Sequence, residues 1–450
     1  MTSQKLYRSE ARSQKSELRR TRNEKRKTRN QMKKSKELLC VSFTLILSTT
    51  ATFIPAQTTG SWKAPQEVVE QLSKNQPEFN YREDKVPSYT LPDPLITSSG
   101  KKVLNREMWT NQRRNEILEL FRENVYGRVP VTRYNESFTV ENEDRKAMNG
   151  KAILKQVVIR IEAGGKSLDI HLTLFVPADI EKPVPAFLVI NNRDTSNIDP
   201  TRKRKSEFWP AEEIIARGYA AAAFNNADID PDNFDNFQNG IHGLLDGEKR
   251  EPDSWGTIAA WAWGASKCMD YLEKDKDIDN KKVAVVGHSR GGKTALWAGA
   301  EDQRFALVIS NESGCGGAAL ARRRYGETVA RINASFPHWF CSNYKKWADN
   351  EDKMPVDMHM LLSLIAPRAL YVDCADEDLW GDPHGSYLAL LNAVPVFKLF
   401  EGKTSLTEQM PPLNKPVTSM NIGFHIRDGV HNMLLKDWNW FMDFADSVYR

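Results

Sequence analysis

The segment Ala186-Phe187-Leu188-Val189-Ile190 is apolar without a break. A strand written this way has no polar face to give to water, so it must be covered on both sides. That situation belongs to parallel sheets with a helix layer on each face. Runs of the same kind recur at 220–224, 283–286, 305–309, 369–372 and 394–399. Between them, apolar residues repeat at helical spacing over 254–272, 293–300, 384–392 and 434–448. The stretches 154–161 and 168–176 alternate instead, which predicts an antiparallel pair opening the sheet. The expected fold class is α/β: a doubly wound three-layer sandwich around a central, mostly parallel sheet.

A composition with 40% hydrophobic residues, 12 Trp and 19 Phe supports a large core. At ~150 residues per domain a chain of 450 has room for three, but the strand-helix rhythm runs through without an internal repeat, so 57–450 is expected to be one domain. Two stretches depart from the rhythm. Residues 60–130 are rich in Pro and polar residues around one helical pattern at 108–121, and predict an amino-terminal wrap over the later core. Residues 322–357 carry Tyr325, Phe336, Trp339, Phe340, Tyr344 and Trp347, an aromatic-rich insertion expected to form lid and pocket wall.

Charge is divided unevenly. Residues 1–36 hold 14 Lys or Arg against 3 Glu, so the rest of the chain is acidic at −7 although the whole is +4. An acidic body argues against nucleic acid as a partner. The uncharged stretch from Leu38 to Phe53, followed by Ile54-Pro55-Ala56-Gln57, suits the apolar region of a signal peptide better than a membrane span. A start at Met32 would give that signal an ordinary basic preamble, so 1–56 is taken as basic segment plus signal and the mature protein as secreted or periplasmic, without stable membrane insertion. Export permits disulfides, and Cys315 and Cys341, both in loop-like sequence, are the expected pair. No Cys or His spacing suggests a metal site.

The sharpest chemical signal is Val283-Ala284-Val285-Val286-Gly287-His288-Ser289-Arg290-Gly291-Gly292-Lys293, a strand passing through G-x-S-x-G into a helix. This is the context of a nucleophile elbow and makes the frame an α/β-hydrolase fold, with Ser289 as nucleophile and the Arg290 amide as an oxyanion donor. A serine needs a histidine base, which in this fold comes last in the chain. His431, in Arg427-Asp428-Gly429-Val430-His431, occupies that place, with His425 as second choice. Two carboxylates compete to orient it: Glu312, after the 305–309 run, and Asp378, in the acidic cluster after the 369–372 run.

Gly287-His288-Ser289-Arg290-Gly291-Gly292-Lys293, with Glu312 following in a Glu-Ser-Gly-x-Gly-Gly context, resembles the glucuronoyl esterases of carbohydrate esterase family fifteen, bacterial type. The resemblance extends through Pro355-Val356-Asp357-Met358-His359, Ile365-Ala366-Pro367-Arg368, Asp378-Leu379-Trp380 and His431, over roughly 77–449. It implies that the Arg290 side chain and amide bind the oxyanion, that Lys293 contacts sugar hydroxyls, and that Glu327 and Trp380 hold the uronate ring. It favours Glu312 as triad acid, whereas the usual chain order favours Asp378. Asn191-Asn192-Arg193-Asp194 departs from the Gly-rich loop expected after the central run.

These readings converge on a secreted, monomeric serine esterase that needs no cofactor and cleaves esters of (4-O-methyl-)glucuronic acid, as in glucuronoxylan–lignin linkages. The alternatives are an acetyl or feruloyl xylan esterase and a catalytically silent carbohydrate-binding relative. The signal reading predicts an exported protein beginning near Gln57, with a version starting at Met32 exported equally well. Amino-terminal sequencing that finds any of residues 1–31 on the exported protein contradicts it.

Overall fold

The computed structural model describes residues 61–402 and 404–449; the basic segment, Met32 and the signal lie outside them. Ten strands form one sheet: β1 (Asn135–Lys146), β2 (Ala152–Ala163), β3 (Lys166–Pro177), β4 (Val184–Asn191), β5 (Ala220–Asn225), β6 (Ile278–His288), β7 (Leu307–Asn311), β8 (Ala369–Ala375), β9 (Val417–Ser419) and β10 (Ile422–Arg427). Their order is β1-β2-β3-β5-β4-β6-β7-β8-β10-β9. The neighbours β5-β4-β6-β7-β8-β10 run parallel, β9 pairs antiparallel with β10, and β1-β2-β3 form an antiparallel meander joined antiparallel to β5. The α/β-hydrolase expectation therefore holds, with β1 added to the anticipated pair as a largely exposed edge strand.

The uninterrupted apolar runs are explained by two cores. Ala186, Leu188 and Ile190 of β4 point into one, and Phe187 and Val189 into the other; β5, β6 and β8 divide their residues in the same way. The first core is roofed by helices Thr257–Leu272, Arg290–Glu301 and Pro383–Glu401, the second by Ala211–Ala216 and Leu435–Val448. Each fully buried Val, Leu or Ile contributes about 1.5–3 kcal/mol, so no register that turns either face outward can compete.

One expected strand is not a strand. The 394–399 run lies inside helix Pro383–Glu401, and the strand beside β8 is Ile422–Arg427. Val394, Val396 and Phe397 are buried within that helix, and a short apolar run in a buried helix has the same signature as a buried strand.

The amino-terminal segment wraps the first core. A helical stretch from Arg106 to Tyr126 buries Trp109, Ile117, Phe121, Val125 and Tyr126 there, and His359 Nε2 meets the Pro92 carbonyl at 2.8 Å. Val69 and Tyr81 pack instead with Tyr325 and Leu379, which brings the wrap to the carboxyl edge of the sheet. The aromatic insertion is closed at its base by Arg322, whose Nη1 meets Asp357 at 3.2 Å and the Val356 carbonyl at 3.0 Å. Among the described residues no helix is long and apolar enough to cross a membrane.

The Cys315–Cys341 disulfide is not formed. Both thiols are free and buried: Cys341 Sγ faces the Glu123 carbonyl at 3.7 Å, while Cys315 packs in the first core. Burial, rather than a covalent link, is what joins these loops. Alkylation of the denatured protein without reductant is accordingly expected to modify Cys268, Cys315, Cys341 and Cys374, read as added mass on each cysteine peptide. Recovery of a linked peptide pair contradicts this.

Candidate active site

The sheet reverses its order at β4: β5 lies on one side, and β6, β7, β8 and β10 follow on the other. Loops leaving the carboxyl ends at such a switch point diverge and open a crevice, and the chemical residues collect there. β6 ends in the elbow, where Ser289 holds φ 58° and ψ −124° before helix Arg290–Glu301. The flanking glycines allow it. A Cβ on Gly287 would stand 1.9 Å from the Gly291 carbonyl oxygen, and one on Gly292 would stand 2.9 Å from that of Asn311. The Ser289 amide donates to the Asn311 carbonyl at 2.9 Å, so the turn is pinned to β7. First-turn amides of Gly292 and Lys293 return to the Ser289 carbonyl, whereas the Arg290 amide has no backbone partner among the described residues. A helix amino terminus with an uncommitted amide beside a hydroxyl is suited to an oxyanion.

His431 stands on the loop between β10 and the last helix, and its Nδ1 meets both candidate carboxylates: Asp378 Oδ2 at 2.7 Å and Glu312 Oε2 at 3.0 Å. Glu312 is fully buried and holds φ 48°, an uncommon backbone conformation for a non-glycine residue. Its Oε1 accepts from Arg427 Nη2 at 2.5 Å and its Oε2 from the Asn432 amide at 2.8 Å. Burial pushes the Glu312 carboxyl up to about 7 against the pull of His431 and Arg427. For His431, burial alone would lower the imidazolium, but the hydrogen bonds to Asp378 and Glu312 outweigh it and hold the ring up at about 9. The second-choice histidine, His425, is fully buried inside β10, fixed by Asp437 at 3.0 Å and the Tyr371 hydroxyl at 3.0 Å.

The remaining expected residues gather around the elbow. Arg290 is ion-paired through Nε to Asp232 at 2.7 Å and donates from Nη2 to the Asn192 carbonyl at 2.9 Å. Lys293 is buried, which lowers its ammonium pKa, and Nζ donates to the Ser313 carbonyl at 2.5 Å. The Glu327 amide donates to the Trp380 carbonyl at 3.0 Å, and its carboxyl, raised by burial, takes a hydrogen bond from the Trp380 side chain. Phe79 of the wrap meets Trp380 edge-on at 4.8 Å.

Several residues of the site were not expected from the sequence. Asp232 joins Arg290 to His338 at 3.0 Å and to the Trp339 indole at 2.7 Å, so the aromatic insertion walls the crevice through a charged anchor. Its signal was only an acidic loop after β5. Arg427 bonds Glu312, Asp437 and the carbonyls of Val430 and Asn432, yet one arginine ahead of a loop looks like a surface charge. His288 is buried against Asn311 Oδ1 at 2.5 Å, with its ring 4.4 Å from that of His431. Among the described residues two groups bring three metal-ligand-type atoms within 4.8 Å of one another: His288, Glu312 and His431, and Asp373, His425 and Asp437. Arg427 reaches a carboxylate in each, at Glu312 and Asp437, and supplies the positive charge there.

A serine elbow at the switch point and a histidine bonded to two acids on a neighbouring loop are the groups a serine-type hydrolase uses, here on an α/β-hydrolase fold. The comparisons narrow it. The family model for fungal glucuronyl esterase matches residues 159–401. A carbohydrate esterase of an unknown prokaryotic organism is 44% identical over 82% of this chain and 91% of its own. A 4-O-methyl-glucuronoyl methylesterase of Thermothelomyces thermophilus is 30% identical over 67% of this chain and 68% of its own. The solved glucuronoyl esterase of Solibacter usitatus is 40% identical, covers 82% of this chain and 100% of its own, and superposes with a TM-score of 0.77. The chain belongs to the glucuronoyl esterase family of carbohydrate esterases.

The geometry at His431 predicts a titration. Carboxylates at Nδ1 stabilise the charged ring and raise its pKa, so Glu312→Gln and Asp378→Asn are each expected to lower the His431 midpoint from about 9 by roughly a unit or more. The neutral base then appears at lower pH. Ring NMR titration reads this directly, and a midpoint unmoved in both variants contradicts it.

Proposed function

We propose that this protein hydrolyses esters of (4-O-methyl-)glucuronic acid through an acyl-enzyme on Ser289. The observation that carries this reading is the buried Lys293, with Glu327 and Trp380 paired beside it, next to a serine elbow. Lipid esters would be served by an apolar tunnel, whereas a cation, a carboxyl and an indole suit a sugar ring with its hydroxyls.

In this mechanism His431 takes the Ser289 proton as the hydroxyl attacks the C6 carbonyl. Asp378 and Glu312 share the task of orienting Nδ1 and stabilising the imidazolium. The Arg290 amide and guanidinium receive the oxyanion, the guanidinium held in place by Asp232. Collapse expels the alcohol, which takes the proton from His431, and water completes the cycle by the same route. Lys293 and Glu327 bind ring hydroxyls and Trp380 supplies an aromatic wall. The enzyme acts as an exported monomer on uronate-bearing polysaccharide, the alcohol being of lignin type.

Ser289→Ala and His431→Ala are each expected to lower kcat by roughly 10³ or more, with no further loss when combined, because the residues act as a unit. Methyl glucuronate should be turned over well ahead of methyl galacturonate and of an acetyl ester. Equal rates on the three contradict the uronate site, and a tenth of the activity left in either single variant contradicts the assigned residue.

A further inference from the structure

Arg193 is the charged side chain of the Asn191–Asp194 loop that lies nearest the histidine loop, and the mechanism above leaves it without a task. It is half-buried after β4, and its one side-chain hydrogen bond among the described residues runs from Nη2 to Asn432 Oδ1 at 2.8 Å. The guanidinium lies over the Phe208 ring, 4.4 Å from its centroid. Other arginines around the crevice have carboxylate partners: Arg290 has Asp232, Arg427 has Glu312 and Asp437, and Arg323 has Asp382. Among the described residues Arg193 has none within ion-pair distance, and burial lowers its pKa accordingly. A partly desolvated guanidinium with most of its five N–H groups uncommitted has donors left for a ligand's acceptors.

Its neighbours locate it in the reaction. Asn432 follows His431 directly. Phe208 meets His288 edge-on at 6.1 Å, and His288 lies 4.4 Å from His431. Arg193 therefore borders the catalytic histidine from the β4 side, whereas Lys293, Glu327 and Trp380 stand on segments that follow β6, β7 and β8. The two halves of an ester lie on either side of the attacked carbonyl. With the uronate ring held beyond β6, the alcohol half falls on the β4 side, next to the histidine that protonates it. Val430, just before His431, is 62% exposed and offers an apolar contact at the same rim.

We propose that Arg193, backed by Phe208 and bordered by Val430, is the specificity residue for the leaving alcohol, and that it selects an aryl-bearing alcohol with oxygen substituents. Phe208 covers one face of the guanidinium, the alcohol's ring stacks on the other, and the free N–H groups reach the ring oxygens. This rests on the uronate-ester reading above.

The test compares kcat/KM on the benzyl and methyl esters of glucuronic acid. In Arg193→Gln the benzyl-to-methyl ratio is expected to fall roughly tenfold, mainly through KM for the benzyl ester. Arg193→Lys, which keeps the charge but loses the planar face, should lower it as well. Because both esters are measured on one preparation, the ratio does not depend on the fraction folded. If Arg193 only positions the histidine loop, both esters fall together and Asn432→Ala reproduces the effect, and an unchanged ratio in both Arg193 variants overturns the proposal. Absence of turnover of either ester by the unmodified enzyme overturns the uronate reading and this proposal with it, an outcome separate from an unchanged ratio.

Discussion

Arg427 is the interaction on which the rest of the site depends. Its guanidinium is 1% exposed at the end of β10, and it joins Glu312 of the loop after β7, Asp437 of the last helix, and the carbonyls of Val430 and Asn432 on either side of His431. A buried cation is tolerated only when its donors are matched, and removing one partner of such a pair is far more costly than the pair's net worth. The need to satisfy one arginine thus fixes the histidine loop against two neighbouring segments. His431, itself 39% exposed, is held through this loop and through its two acids.

From that arrangement the electrostatics follow. Glu312 is close enough to Arg427 and His431 to be ionised, and buried enough to resist it; burial and attraction leave it near neutrality at about 7. Asp378 approaches the same nitrogen from the loop after β8. Two acids on one Nδ1 hold the proton more firmly than one, which explains a ring raised to about 9 despite its burial cost. Both chain orders known for such acids are therefore represented around a single histidine, and the nonadditive behaviour of residues sharing one proton is the natural consequence.

The periphery is assembled by the same economy of contacts. Asp232 binds Arg290, His338 and Trp339 at once, so the insertion that walls the crevice is registered to the helix start. Phe79 of the wrap supports Trp380 edge-on. Segments irregular in secondary structure are thereby placed accurately, because each reaches the site through a charge or a ring that meets specific partners.

The layered sheet, the elbow and the candidate residues Ser289, Arg290, Glu312, Asp378 and His431 were legible in the chain because they obey local rules: unbroken apolar runs for doubly covered strands, glycines where backbones touch, polar residues just past strand ends. Where a local pattern had two meanings, the sequence was insufficient. The 394–399 run reads equally as buried strand or buried helix, and only packing beneath β8 and β10 selects the helix. Cys315 and Cys341 share a loop-like context but lie in different surroundings, one inside the first core and one against the Glu123 carbonyl, a matter of three-dimensional direction that spacing does not carry. Choosing between Glu312 and Asp378 could not be done in one dimension, since each ends a strand beside the other's. Tertiary structure brings both to His431, because a buried Arg427 draws the histidine loop over β7 while the loop after β8 closes on it from the other side. What the sequence determined is the set of groups and the edge they share; which of them touch was decided by the pairing of charges that folding removes from water.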